Sequence, residues 1–263
     1  MLELTGITKT FFPGTVNERK ALVDVDLNLR EGDFVTVIGS NGAGKSTLLN
    51  VVSGSIRSDG GSVTIGGKDV TKLTDFQRAA YIGRVFQNPS AGTAPHMTIE
   101  ENLAMAKKRG KRRGRGWSVR KSVRDEFRAD LATLEQGLED RLDDWVGLLS
   151  GGQRQSLSLL MATFTNPQIL LLDEHTAALD PQRAALVTKI TAELVEAQGL
   201  TTLMVTHNME QALAMGNRLI MMHQGQIILD VEGADKAAMS VPDLLAEFEK
   251  HRGAELSDRD LLQ

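Results

Sequence analysis

Cysteine is absent from all 263 residues. That excludes a disulfide scaffold and thiolate metal sites, and it suits a reducing cytosol. An apolar leader is missing as well. The chain opens Met1-Leu2-Glu3, with a charge at the third residue, so no signal peptide is expected. Long hydrophobic runs are also lacking. The longest charge-free stretch, Gln155 to Leu172, is broken by Asn166-Pro167 and does not read as a membrane span. A soluble chain is expected, one still able to dock on a membrane protein. No internal repeat is visible, and no low-complexity tract outside one basic block.

What is present is ordinary globular usage, 41% hydrophobic and 24% charged, which excludes a disordered or fibrous chain. The length suits one large domain or two small ones with a substantial core. Charge is distributed unevenly. Lys107 to Arg128 hold eleven Lys or Arg and two acids, a local +9 against a total of -4, which leaves -13 for the remainder. An acidic body argues against a protein that coats nucleic acid, and no nucleic-acid partner is expected.

The first third is strand-rich. Ala21 to Leu29 alternates, with Val23, Val25, Leu27 and Leu29 on one face and Asp24, Asp26 and Asn28 on the other, a half-buried antiparallel strand. Phe34 to Ile38 is an apolar run too short for a helix and reads as a buried strand. A glycine-rich loop follows, then a helix from Lys45 to Ser53 stopped by Gly54. Ser62 to Ile65 is a further strand. The middle, from about Thr98 to Phe164, is helical, with helices at Met97 to Ala106 (Thr98 as N-cap), Val119 to Leu134 and Ser150 to Thr163. The last third alternates: strand Ile169 to Leu172, helix Pro181 to Ala197, strand Thr201 to Val205, helix Asn208 to Met215, and a hairpin of Leu219 to Met222 with Gln226 to Leu229. Alternating strands and helices imply a mainly parallel α/β sheet, with the helical middle as an insertion.

Gly39-Ser40-Asn41-Gly42-Ala43-Gly44-Lys45-Ser46, followed by Thr47, fits G-x-x-x-x-G-K-[ST] between a predicted strand and a predicted helix. Glycines let backbone N–H groups converge on a polyphosphate without Cβ clashes, and the helix offers its positive end. Lys45 is expected at the β- and γ-phosphates and the Ser46 hydroxyl on Mg2+. Farther along, the apolar run Ile169 to Leu172 ends in Asp173-Glu174. Reactive groups in open α/β sheets gather at strand carboxyl ends. Asp173 is expected to hold Mg2+, directly or through water, and Glu174 to act as general base on the water attacking the γ-phosphorus. Shortly before that strand, Leu149-Ser150-Gly151-Gly152-Gln153 offers a second anion-binding helix start, with Ser150 as cap.

With these motifs in this order, the sequence resembles the ATP-binding subunits of ABC transporters over nearly its whole length. The resemblance implies an α/β P-loop NTPase of the ABC-ATPase type: a mainly parallel core sheet, an antiparallel β subdomain and an inserted helical subdomain. It implies one domain over 1–263, with the RecA-like core and β subdomain at about 1–97 and 165–240, the helical subdomain at about 98–164 and a C-terminal helix at about 241–252. It assigns Gln87 as the glutamine that touches Mg2+ and the attacking water, Asp180 to the Ala177-Ala178-Leu179-Asp180 loop, and His207 as the switch histidine on the γ-phosphate. Phe11 or Phe12, with Phe11 preferred, takes the place of the aromatic that stacks on adenine. ATP and Mg2+ are the implied cofactors. One departure stands out: Asp173-Glu174-His175-Thr176 replaces the usual Asp-Glu-Pro-Thr, removing a fixed φ and adding a group that can titrate near neutrality, a subgroup variation expected to leave catalysis intact.

In the resembling family the signature of one cassette faces the phosphate loop of another, with ATP between them. A homodimer, or pairing with a paralogous ATPase, is therefore implied, together with separate transmembrane permease subunits and, for an importer, a substrate-binding protein. The implied location is the cytoplasmic face of the inner membrane. The 56 residues after His207 are expected to hold a helix, a hairpin and a charged helix, Val241 to Arg252, without room for the regulatory domain of sugar-importer ATPases. The segments Phe86 to Pro95 and Thr98 to Leu103, the basic block and the Asp-Glu-His-Thr variant resemble a subgroup of amino-acid importers, tryptophan/tyrosine or branched-chain-like. Thr10 to Thr15 also resembles methionine importers and lipoprotein-release ATPases, so an export or extraction system is the rival reading, and a soluble non-transport ATPase a distant one. The basic block reads either as a solvated helix connection or as a patch drawn to anionic lipid or an acidic permease loop.

Overall fold

The computed structural model describes residues 1–110 and 120–260. Residues 111–119 of the basic block, including Val119, where a helix was expected to begin, lie outside the described residues. The elements in chain order are β1 (Leu2–Phe11), β2 (Arg19–Leu29), β3 (Phe34–Gly39), α1 (Lys45–Ser53), β4 (Gly60–Ile65), β5 (Lys68–Asp69), α2 (Asp75–Arg78) and β6 (Ile82–Val85). Then come α3 (Ile99–Lys107), α4 (Lys121–Ala132), a 3-10 turn (Val146–Leu148), α5 (Gly151–Thr163), β7 (Ile169–Asp173) and α6 (Pro181–Gln198). The chain continues through β8 (Thr202–Val205), α7 (Met209–Ala214), β9 (Arg218–His223), β10 (Gln226–Glu232), α8 (Gly233–Ala238) and α9 (Val241–Asp260).

Two sheets result. One is antiparallel, in the order β2-β1-β4-β5. The other has the order β10-β9-β3-β8-β7-β6, and all its pairs are parallel except the β9–β10 hairpin. Within it β3, β8, β7 and β6 are parallel neighbours, so the loops that follow them emerge along one edge. Those loops carry the glycine-rich segment, His207, Glu174 and Gln87.

Local sequence explains most boundaries. Gly54, at φ 81, closes α1 in the left-handed conformation that glycine reaches without a Cβ penalty. Thr98 and Glu101 form a reciprocal capping box at the start of α3. Asp180 caps α6, Pro181 fills its first turn and Gly199 ends it. One expectation fails inside β2. Asp24 adopts φ 51, and the ladder slips between Ile7↔Val25 and Lys9↔Leu22. That bulge turns Leu22 inward and leaves Val23 half-buried, so the apolar face is not the unbroken Val23-Val25-Leu27-Leu29 row.

β7 shows how the sheet joins two cores. Its residues alternate: Ile169 and Leu171 pack with α1 residues Leu48, Leu49 and Val52, while Leu170 and Leu172 pack with the helical segment through Leu157, Leu160 and Phe127. All four are fully buried, each worth about 1.5–3 kcal/mol of transfer free energy. Phe127 of α4 stacks on Phe164, ring centroids 5.9 Å apart, closing the helical segment. Among the described residues no helix is long and apolar enough to cross a membrane.

Lys236 of α8 is 4% exposed and donates its ammonium hydrogens to the carbonyls of Met215 and Gly216, just past α7. Burial lowers its pKa from 10.5 to about 8. The unfolded chain therefore holds more protons between those values, and stability rises with pH across that window. The advantage of the parent over Lys236→Met should grow by about 3 kcal/mol between pH 8 and 10.5, at about 1.4 kcal/mol per pH unit separating the two states. Urea unfolding of both proteins at the two ends of the window measures it, and parallel curves would refute it.

Candidate functional site

The glycine-rich loop leaves β3 and enters α1 without a side-chain cap, so the first amides of that helix are open to an anion. Two glycines are required by close approach. A Cβ on Gly39 would collide with the Met222 carbonyl, and one on Gly44 with the Ala21 carbonyl. Lys45 is 6% exposed, and its Nζ donates to the Gly39 oxygen at 2.7 Å and the Ser40 oxygen at 3.0 Å. Burial pulls its pKa down, while Glu174 and Asp173 pull it up. Asn41, Gly42 and Ser46 face solvent, Ser40 and Thr47 are half-buried, and Ala43 is buried.

Glu174 begins the turn after β7 with φ 43, a strained setting for a non-glycine residue. Its amide is held by the Val205 carbonyl of β8 at 2.9 Å. Two side chains from neighbouring loops converge on its carboxylate: Gln87 Nε2 donates to Oε2 at 3.1 Å, and His207 Nδ1 stands 3.6 Å from the same oxygen. The structure thus gathers Lys45, Gln87, Asp173, Glu174 and His207 at one edge of the sheet.

Arg84 was not singled out by the sequence. Its Nη2 lies 3.3 Å from Asp173 Oδ2, and its nitrogens also donate to Asn50 Oδ1 at 2.8 Å and Ser53 Oγ at 3.0 Å on α1. The guanidinium covers the Phe86 ring at 4.7 Å. The available signal was a single charge inside the buried strand Ile82-Gly83-Arg84-Val85. Even so, burial, helped by the neighbouring Glu174 charge, holds the Asp173 carboxyl above its ordinary pKa against the pull of Arg84 and Lys45. A divalent cation would relieve that. Ser46 hydroxyl, Gln87 amide oxygen and Asp173 carboxylate are hard oxygen donors suited to Mg2+. Among the described residues no cluster of three or more His, Asp or Glu is set to hold a metal alone.

His175 corrects an expectation. It is 2% exposed, and burial lowers its pKa to about 4, so it does not titrate near neutrality. Its Nε2 lies 3.0 Å from Thr191 Oγ1, whose own hydrogen goes to the Val187 carbonyl at 2.7 Å. Thr191 has no second hydrogen to give, so Nε2 is the protonated nitrogen and donates to it.

The Ser150 turn stands apart. Ser150 and Gln153 form a capping box, and the turn borders a hollow of about 340 Å³ with Gln136 and Arg183. Among the described residues no hydrogen bond or ion pair joins Ser150, Gly151, Gly152 or Gln153 to the glycine-rich loop. Asp180 accepts from the Arg183 amide at 3.1 Å and pairs with its guanidinium. α5 is instead tied to the segment after β6. Gln155 Nε2 donates to the Phe86 carbonyl at 3.1 Å, and Arg154 Nη1 to Ser90 Oγ at 2.8 Å. Phe11 stands opposite Arg19 in the β1–β2 ladder, while Phe12 lies beyond the strand with φ 52 and is 67% exposed.

Comparison with known proteins agrees with this geometry. The ABC transporter family model matches residues 22–177. A tyrosine transport ATP-binding protein of Clostridioides difficile is 42% identical over 254 residues, covering 95% of this chain and 99% of the relative. A sulfate/thiosulfate import ATP-binding protein of Agrobacterium fabrum is 34% identical over 234 residues, 86% of this chain, which spans 62% of that relative's length. A solved dimeric ATP-binding cassette in a post-hydrolysis state, bound to ADP and Pi, is 30% identical with a TM-score of 0.73, covering 88% of this chain and 98% of that one. The converging lysine, glutamine, glutamate and histidine, the fold and these likenesses lead to one conclusion: the chain belongs to the ABC transporter family, as an ATP-binding cassette with ATPase activity.

Proposed function

We propose that this ATPase drives import of an amino acid through separate permease subunits, two cassettes closing on ATP and parting after hydrolysis. The observation that supports the substrate class most is the tyrosine transport relative, whose match runs through almost the full length of both chains. Dimerisation is supported by the solved dimeric cassette, and among the described residues no hydrogen bond or ion pair joins the Ser150 turn to the glycine-rich loop of its own chain. A second copy supplies the missing half: the first-turn amides of Gly151 and Gly152, facing the nucleotide held by Gly39 to Thr47. Attachment to the inner face of the membrane follows through the permease.

In this reading Phe11 stacks on adenine. Lys45 exchanges its two loop carbonyls for the β- and γ-phosphates. Ser46, Gln87 and Asp173 would hold Mg2+, which when bound offsets phosphate charge. Glu174 takes the proton of a water as its oxygen attacks the γ-phosphorus and the bond to ADP breaks. Gln87 fixes the Glu174 carboxylate and that water, and His207 donates toward the γ-phosphate. Asp180, at the start of α6, faces the partner cassette. Loss of the γ-phosphate removes the bridge between the halves.

Lys45→Ala should abolish detectable MgATP binding in titration calorimetry, and retained affinity would refute the reading. Glu174→Gln should slow hydrolysis at least about 100-fold, the usual scale of general-base catalysis. It should also accumulate as a dimer in MgATP by light scattering; a variant that hydrolyses at the parent rate overturns the role. For the substrate, the ATPase copurified with its permease in liposomes should be stimulated by an aromatic amino acid and its binding protein. Stimulation by sulfate or a polyamine instead, or transport outward, would sink the importer assignment.

A further inference from the structure

Arg19 opens β2 directly opposite Phe11 in the antiparallel ladder. Opposed residues in such a ladder share one sheet face. The Arg19 side chain extends from that face to the glycine-rich loop, where Nη2 donates to the Gly42 carbonyl at 2.8 Å. Glycine permits that approach, because a Cβ at Gly42 would stand only 2.8 Å from the same nitrogen. Arg19 therefore occupies the gap between the aromatic that takes the base and the loop that takes the phosphates.

Its electrostatic position is equally specific. Among the described residues Arg19 makes no ion pair, whereas Lys9 beside Phe11 is spoken for by Asp59 at 2.7 Å. Lys45, the cation inside the loop, is shared between two carbonyls and two acids. A guanidinium whose one hydrogen-bond partner among the described residues is a backbone carbonyl retains further donors for a planar, charge-assisted contact.

We propose that Arg19 is a nucleotide-binding residue, its guanidinium donating to the phosphate chain of a nucleotide whose base lies on Phe11. Arg19 then provides a second cation beside Lys45, on the solvent side of the loop. The inference rests on the proposed placement of base and phosphates and adds a contact outside the recognised motifs.

The test is calorimetric titration of the purified chain with MgADP, which avoids hydrolysis. Arg19→Met should weaken binding at least tenfold, the scale of a charge-assisted hydrogen bond. The loss should be larger at low salt than at high salt, with the melting temperature of the nucleotide-free protein unchanged. Arg19→Lys should restore most of the affinity. A change below threefold for Arg19→Met overturns the proposal. So does a loss that comes with a lower melting temperature and that lysine does not repair, since Arg19 would then only brace Gly42. Lys45→Ala is the control: if it weakens MgADP and Arg19→Met does not, this inference alone fails, and if neither does, the nucleotide site itself is misplaced.

Discussion

One buried ammonium sets the terms for this cassette. Lys45 is withdrawn from water at the start of α1, and withdrawal makes its charge expensive. The protein meets that cost with oxygens: two carbonyls of the loop in front and two carboxylates at the end of β7 behind. For the carbonyls to turn inward the backbone must pass Met222 and Ala21 at distances only glycine allows. For the carboxylates to be near, β3 and β7 must lie in one parallel sheet, and β8 stands between them. A polyphosphate would replace neutral oxygens with charged ones around the same nitrogen, so ligand binding completes an arrangement that folding has begun.

Much of this was legible in residue order because the rules involved are local. Gly54, Thr98, Asp180 and Pro181 mark helix ends through backbone geometry and caps, and the helices begin and end beside them. The glycine-rich loop announced itself between an apolar run and a helical one. Features that depend on the third dimension were not legible. The bulge at Asp24 is a property of the pairing between β1 and β2, so alternation along β2 alone placed Val23 where Leu22 belongs. His175 looked titratable from its chemistry, and only burial under α6 decides otherwise. Arg84 was not read from the sequence; its meaning comes from Asn50, Ser53 and Asp173, which are remote in sequence.

The helical segment is not merely attached to the sheet. Gln155 and Arg154, consecutive on α5, hold the backbone at Phe86 and the side chain of Ser90, on either side of Gln87. Gln87 in turn holds the carboxylate of Glu174. A path of hydrogen bonds and intervening backbone therefore runs from the helix behind the Ser150 turn to the acid at the sheet edge. Displacing α5 relative to the sheet must either stretch these bonds or carry the Gln87 segment along, which gives the segment a physical route for reporting on its surroundings.

The histidine after Glu174 has an evolutionary consequence. A proline there would stiffen the turn through its own ring, independent of any neighbour. His175 achieves stiffness by reaching into α6, where Thr191 receives its hydrogen and passes one to Val187. The rigidity of the turn is thus underwritten by a residue sixteen positions away. Exchange of Thr191 alone strands the buried Nε2 hydrogen of His175, so the hydroxyl at 191 is kept for as long as histidine stands at 175, and a lineage that acquires proline at 175 is released to lose it.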